Sequence, residues 1–327
     1  MKKFLTVLLA VLLLASFYSC QKQASSEGSA QSTQAEKKID FPKKPIHLIV
    51  YTGPGGAGDI LSRKFVEIAS KYTNATFVVE NKAGSGGIVA MEYVRSLPAD
   101  GYTLMYVTKS NISKLAGTGS EIIPTEEFDW ISMMQIDPEC VITNNKTDIV
   151  TWEQVVADAK AKDGKQLWLG PAAGGLDNVT AERIWKAAGI KATWVPFASG
   201  GKAKAALLGK QGVTYTGNPG EIIGKPDFSI AAICMDERLP QFPDVPTFKE
   251  LGVNGVENEV IWRGFAVKKG TPDDIISWYN DLFEKVSNDD EWRKTYEPKG
   301  IKLVHYTKDK FNSVVKEDYQ GYLDSLK

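Results

Sequence analysis

Histidine and cysteine are scarce in this 327-residue chain: there are two of the first, His47 and His305, and three of the second. No His/Cys/Asp group stands at ligand spacing, so a metal centre has no ligand set, and none is expected. A G-x-S-x-G elbow is also missing. Ser85, within the run AGSGG, has no neighbouring base that could activate it. His47 opens a strand and His305 follows Leu303–Val304 in another, places where a structural role is the default. A surplus of one charge sign is lacking as well. With 39 basic and 40 acidic residues, the balance argues against nucleic acid, which wants a strongly basic face. Long hydrophobic runs are absent with one exception, Leu5–Leu14, broken only by Thr6 and too short to span a bilayer stably.

That run has a meaning of its own. Lys2 and Lys3 precede it, and Ala15, Ser16 and Ser19 lead to Cys20, the pattern of an exported protein's leader. Residues 1–19 read as a signal peptide and Cys20 as a lipidated N-terminus, with Phe17 and Tyr18 at the positions where Leu and a small residue are usual. Residues 21–38 are rich in Ser, Ala and Gln and hold no large apolar side chain. Such a segment cannot offset the entropy of folding and suits a tether, so 20–40 is expected to link a lipid anchor to the folded body. Without the leader the chain has 37 basic and 40 acidic residues, so anion capture must be local rather than a whole-surface field. Cys140 and Cys234 each fall within an apparent strand and read as small buried hydrophobes, with a bridge left open.

Past the tether, strands alternate with glycine turns and helices. Ile46–Tyr51 is followed by GPGGAG (53–58), Asp59 at a cap position and a helical pattern over 60–72. Thr76–Glu80 leads into AGSGG (83–87) and another helix, then Gly101–Thr108 forms a third strand. The middle of the chain repeats the scheme: Gln166–Gly170, the loop 171–176 (PAAGGL), Asp177 at the cap and a helix over 178–188. Lys191–Phe197, ASGG (198–201) and a helix to Leu208 follow. Four strand–glycine–helix units in matched pairs predict α/β architecture in two halves. In such sheets the loops after the strand carboxyl ends form the ligand crevice. Helix N-termini there offer free N–H groups to an anion, and glycine lets the backbone approach it.

A dinucleotide site competes with this reading, because Gly53, Gly55 and Gly58 fit G-x-G-x-x-G and Glu80 lies 22 residues beyond Gly58. Pro54, Ala57 and a second glycine cluster directly after Glu80 count against it, as does export, and no cofactor is expected.

Several segments together resemble the periplasmic receptors of tripartite tricarboxylate transporters, the Bug-type or tricarboxylate-receptor family. They are PKKPIHLIVYTGPGGAGDILSRKF (42–65), VVENKAGSGGI (78–88), PADGYTLMYVT (98–108), WVPFASGGKAKAALLGKQG (194–212), DERLPQFPDVPTFKELG (236–252) and GTPDDII (270–276). Two stretches depart from the family: VPFASGG stands where Tyr-Lys-Gly-Gly is common, and WRGFAVKKG (262–270) replaces a small, Pro-rich version. The resemblance implies a two-domain periplasmic-binding-protein clamshell, each domain a mixed sheet flanked by helices. Domain 1 would comprise 41–140 plus 237–327 and domain 2 141–236. It further implies a monomeric, non-enzymatic receptor that holds a small organic carboxylate and delivers it to a two-subunit permease, with a ligand sensor as the alternative. Its site would draw on Tyr51, Thr52, Gly53, Gly55, Gly56, Ala57, Gly58 and Ser85 from the first domain, with Ser110 and Asn111 as additions that also read as a helix cap. Ala172, Ala173, Gly174, Ser199, Gly200 and Asn218 would come from the second. Citrate, other di- and tricarboxylates, aromatic acids, amino acids and nicotinate-like compounds all fit the resemblance.

Overall fold

Ile46, Leu48, Ile49 and Val50 are fully buried while His47 between them is exposed, as a central parallel strand covered on both faces requires. This strand, β1 (Ile46–Val50), lies between β2 (Phe77–Asn81) and β3 (Thr103–Thr108), parallel to both. The helices α1 (Ala57–Ala69) and α2 (Ile88–Ser96) make the crossovers. The computed structural model describes residues 39–325 apart from Ala172. The leader, Cys20, most of the tether and Ala172 therefore lie outside the described residues.

After α3 (Lys109–Thr118) and α4 (Pro124–Glu127), the long strand β4 (Phe128–Pro138) is separated by Glu139 alone from β5 (Cys140–Asn144). Helix α5 (Trp152–Lys162) precedes the second set of units: β6 (Leu167–Pro171), α6 (Leu176–Ala188), β7 (Thr193–Phe197), α7 (Gly200–Leu208) and β8 (Thr214–Gly217). Strand β9 (Phe228–Ile233) ends this half. The chain returns through β10 (Val260–Lys268), α8 (Asp273–Ser287), α9 (Asp290–Tyr296), β11 (Lys302–Thr307) and α10 (Lys308–Ser325).

Two mixed sheets result, ordered β11-β4-β10-β3-β1-β2 and β7-β6-β8-β5-β9. In each, the first strand of the repeated unit is central, the second pairs outside it and the third inside, all parallel. An antiparallel strand then joins the third: β10 beside β3, β5 beside β8. The duplication seen in the glycine pairs is thus a duplication of topology. Two buried clusters cover the faces of the first sheet and two those of the second. Cys140 and Cys234 are buried and unbridged. Among the described residues no helix is long and apolar enough to cross a membrane.

The return to the first sheet comes later than residue 237. Leu239 packs in one core of the second sheet, and Phe248, Val253 and Val256 in the other, with Thr247 bridged to Ile233. These apolar side chains hold the Pro-rich segment against the second sheet until just before Val260. Glu139 and Glu259 stand side by side at the two crossings, where the Glu139 N–H donates to the Glu259 carbonyl at 2.9 Å.

Candidate functional site

Helix α1 begins at Ala57 with Gly56 as its N-cap, so Asp59 sits in the first turn instead of at the cap. Its carboxylate accepts from the Gly55 N–H (2.9 Å), Asn81 Nδ2 (3.0 Å) and Arg63 Nε (3.0 Å). Arg63 and the Gly55 N–H hold this acid down at about 2. The protein's own carboxylate therefore occupies one donor of the first glycine loop, the charge arrangement that a helix N-terminus favours. In the second half α6 starts at Leu176 behind Gly175, and the equivalent job falls to Asn178, whose Oδ1 accepts from the Gly174 N–H at 2.9 Å. Asp177 is left free to face elsewhere.

It faces a cavity of about 510 Å³ between the two sheets, a size suited to a small molecule. The first half contributes Ala57, Ile60 and Leu61 of α1, Gln135 and Asp137 of β4, Ile261 and Arg263 of β10, and Tyr296, Lys299 and Ile301. The second contributes Pro171, Asp177, Gly200 and Gly201 at the start of α7, Tyr215, Asn218, Gly220 and Glu221, and Glu139 lies at the crossing. Arg263 donates to Asp137 at 2.9 Å. Lys204 pairs with Glu221, which also accepts from the Tyr215 hydroxyl at 3.0 Å. Asn218 Nδ2 donates to the Pro138 carbonyl (2.9 Å) and to Glu139 Oε1 (3.1 Å).

Burial dominates the electrostatics here. It raises Asp137 above the ordinary range despite Arg263, and raises Glu139 further with help from Asp177 and Asp137. Burial also pushes Asp177 up to about 7, against the pull of Arg263 and Lys204, and brings Lys204 down to about 8 with help from Lys225. Acids with raised values favour the folded state at low pH, and that stability is lost as pH rises through the folded value. The ligand-free protein should therefore lose stability from this source between about pH 4, the ordinary carboxylate value, and pH 7. Asp177→Asn should flatten the melting temperature against pH in that window. The comparison with wild type cancels groups common to both, such as His305, which burial lowers and which runs the other way. Identical slopes in the two proteins would remove Asp177 from this role.

Of the residues expected at the site, Ala57, Gly200 and Asn218 line this cavity. Others form a separate seam. The Tyr51 hydroxyl bonds Thr108 Oγ1 at 2.7 Å, and Asn111 caps α3 in a capping box with Thr108 while donating to the Gly86 carbonyl. Ser110 gives its N–H to the Thr108 side chain. Ser85 and Gly86 take positive φ in that turn. Lys114 of α3 reaches the Ala173 carbonyl at 2.7 Å, and Ser113 lies 3.4 Å from that of Gly174, so the second half's loop rests on α3. Thr52 gives its carbonyl to Asn81, and its buried Oγ1 has no partner. Gly53 accepts the Gly56 N–H in a tight turn, while Gly58 lies so near Tyr106 and Thr52 that a Cβ would meet the ring at 2.5 Å. Ser199 caps α7 through Lys202. Glu80 is engaged by His47. Among the described residues no trio of His, Cys, Asp or Glu could hold a metal.

The sequence reading passed over Asp137, Glu139, Glu221, Arg263 and Lys299, and took Asp177 for a cap. One signal was available: Asp137 and Arg263 each interrupt an apolar strand, and Glu139 stands between two, places where a charge needs a buried partner.

Two mixed α/β sheets, joined by two crossings around a cavity lined from both sides, define a two-domain solute-binding receptor. The family model for the tripartite tricarboxylate transporter family receptor matches residues 61–322, and the chain belongs to that family, whose members are receptors and not enzymes. Protein BugT of Bordetella pertussis is 25% identical over 291 residues, 86% of this chain and 88% of that one. A TctC solute binding protein from Polaromonas, solved without ligand, superposes with a TM-score of 0.72 at 25% identity, covering 87% of this chain and 98% of that one. MatC of Rhodopseudomonas palustris with bound malate shares the fold, with a TM-score of 0.77 at 19% identity over 88% of this chain and 100% of that one.

Proposed function

We propose that this receptor works outside the cytoplasm as a lipid-anchored monomer. It captures a small organic carboxylate between its two sheets and hands it to a two-subunit membrane permease. The observation that carries the ligand class is the cavity itself, with the first turn of α7 in its wall. That first turn presents the positive end of a helix dipole. The malate bound by MatC supports the same class. The leader and Cys20 support export and anchoring.

Isothermal titration against a carboxylate library tests capture, and Gly200→Val tests the place. A Cβ at Gly200 would meet the Tyr215 hydroxyl at 2.6 Å and Glu221 at 3.5 Å, so a branched side chain displaces the wall behind α7. A loss of at least about a hundredfold in affinity is expected, roughly 2.7 kcal/mol, in a variant whose circular dichroism matches wild type. A folded Gly200→Val protein that binds as wild type does would move the ligand out of this cavity. Failure of every carboxylate to bind, or release of an altered product, would sink the receptor reading. Anchoring is checked by mass spectrometry of the membrane fraction, where an unmodified Cys20 peptide would defeat it.

A further inference from the structure

The cavity holds more acid than its cations neutralise. Asp137 is paired with Arg263, and Glu221 with Lys204. Glu139 and Asp177 remain, and neither has an ion-pair partner among the described residues. Glu139 is 1% exposed, lines the cavity, and gives Oε1 to Asn218, while its Oε2 has no partner. A buried carboxylate oxygen without a partner is costly unless something fills the place. Among the described residues the acids form no trio that could hold a metal, and an organic cation is the partner that two carboxylates in a cavity of this size suit. Elsewhere the lining changes character. Gly200 and Gly201 form the first turn of the nine-residue α7, Lys299 adds a positive charge, and Ile60, Leu61 and Ile261 supply apolar wall. Ile60 is 60% exposed on the surface of α1, consistent with a wall completed by a ligand.

We propose that Glu139 and Asp177 form a cation subsite, and that the ligand is a zwitterion of the α-amino acid type with an apolar body. The ammonium sits on the two acids, and the carboxylate lies toward the first turn of α7 and Lys299. This rests on the receptor reading and narrows its ligand class. Ammonium-to-carboxylate bonds are charge-assisted and strong, whereas a plain dicarboxylate would meet like charge at the same place.

The test uses pairs of compounds that differ by the amine alone: L-leucine and 4-methylpentanoate, L-phenylalanine and 3-phenylpropanoate, L-glutamate and glutarate, L-aspartate and succinate. Titration of the wild-type protein at pH 8 should show the amine-bearing member binding at least about tenfold tighter, 1.4 kcal/mol, in one or more pairs. Glu139→Gln with Asp177→Asn should abolish that preference. Tighter binding of the amine-free members, or binding of amine-free acids alone across the wider library, overturns the cation subsite and leaves the receptor standing. A preference for the amine that survives both substitutions also overturns it. Failure of every carboxylate, with or without an amine, removes the receptor reading and the subsite together.

Discussion

Replacing Arg263 by Met should destabilise the ligand-free protein by about 3–5 kcal/mol at pH 8, the cost of breaking a buried ion pair from one side, and by much less at pH 4.5. The Arg263 and Asp137 side chains are 12% and 5% exposed, so water does little to screen their interaction. Without the guanidinium, Asp137 shares the cavity with Glu139 and Asp177 and, among the described residues, has no cation at bonding distance. Burial already raises Asp137 with Arg263 in place, and removing the cation raises it further. The sign follows directly. A more strongly raised acid makes stability fall more steeply as pH increases, so the variant and wild type converge where the acids are protonated in both. Urea unfolding at the two pH values is the measurement. A loss below about 1 kcal/mol at pH 8, or an equal loss at both, would show that the pair does not hold the crossing.

Gly264→Ala should cost about 3 kcal/mol or more, at the upper end of overpacking effects. Gly264 lies in β10 between β3 and β4, where a Cβ would stand 2.3 Å from the Ser132 carbonyl oxygen, 2.7 Å from the Phe311 ring and 3.0 Å from the Met133 Cα. Two of these neighbours are backbone of a paired strand and cannot rotate away. The constraint belongs to a bulge: Arg263 pairs with Gln135 but Gly264 with Met133, so β4 carries an extra residue there. Bulges bend a strand and re-aim its side chains, and this one adjoins the residue that reaches into the cavity. The alanine variant should therefore lose ligand binding along with stability. Unfolding within about 1 kcal/mol of wild type would mean that the two strands part more easily than their spacing suggests.

Much of the architecture was legible because it is written in short-range pattern. The run IHLIVY marks a strand buried on both faces, and GPGGAG a turn into a helix. The matched glycine pairs of the middle segment mark a second copy of the unit. Each of these is decided by a handful of consecutive residues. The Asp at the same place in both copies suggested matched caps. The structure separates them, since Asp59 serves its loop while Asn178 serves the other, leaving Asp177 to line the cavity. A shift of one position along a helix turns a side chain by about 100°, which a loop pattern does not resolve.

The site's charge is a different matter. The stretch MMQIDPECVITN and the segment VIWRGFAVK look alike as strands with a charge inside. Nothing within either one says that Arg263 meets Asp137, 126 positions away. The WRGFAVKKG departure from the family pattern was visible at the sequence level, yet its consequence depended on which acids stood opposite. The sequence by itself determined the family, the duplicated α/β fold and the glycine turns, because backbone conformation and burial periodicity are set locally. Only the tertiary structure decided that the cavity is acid-rich, that Glu139 lies buried at the crossing with Oε1 on Asn218, and that Asp59 fills its own helix terminus. Coulomb energy and desolvation depend on distances in space and on exclusion of water, and these arise only when the two sheets close around one cavity.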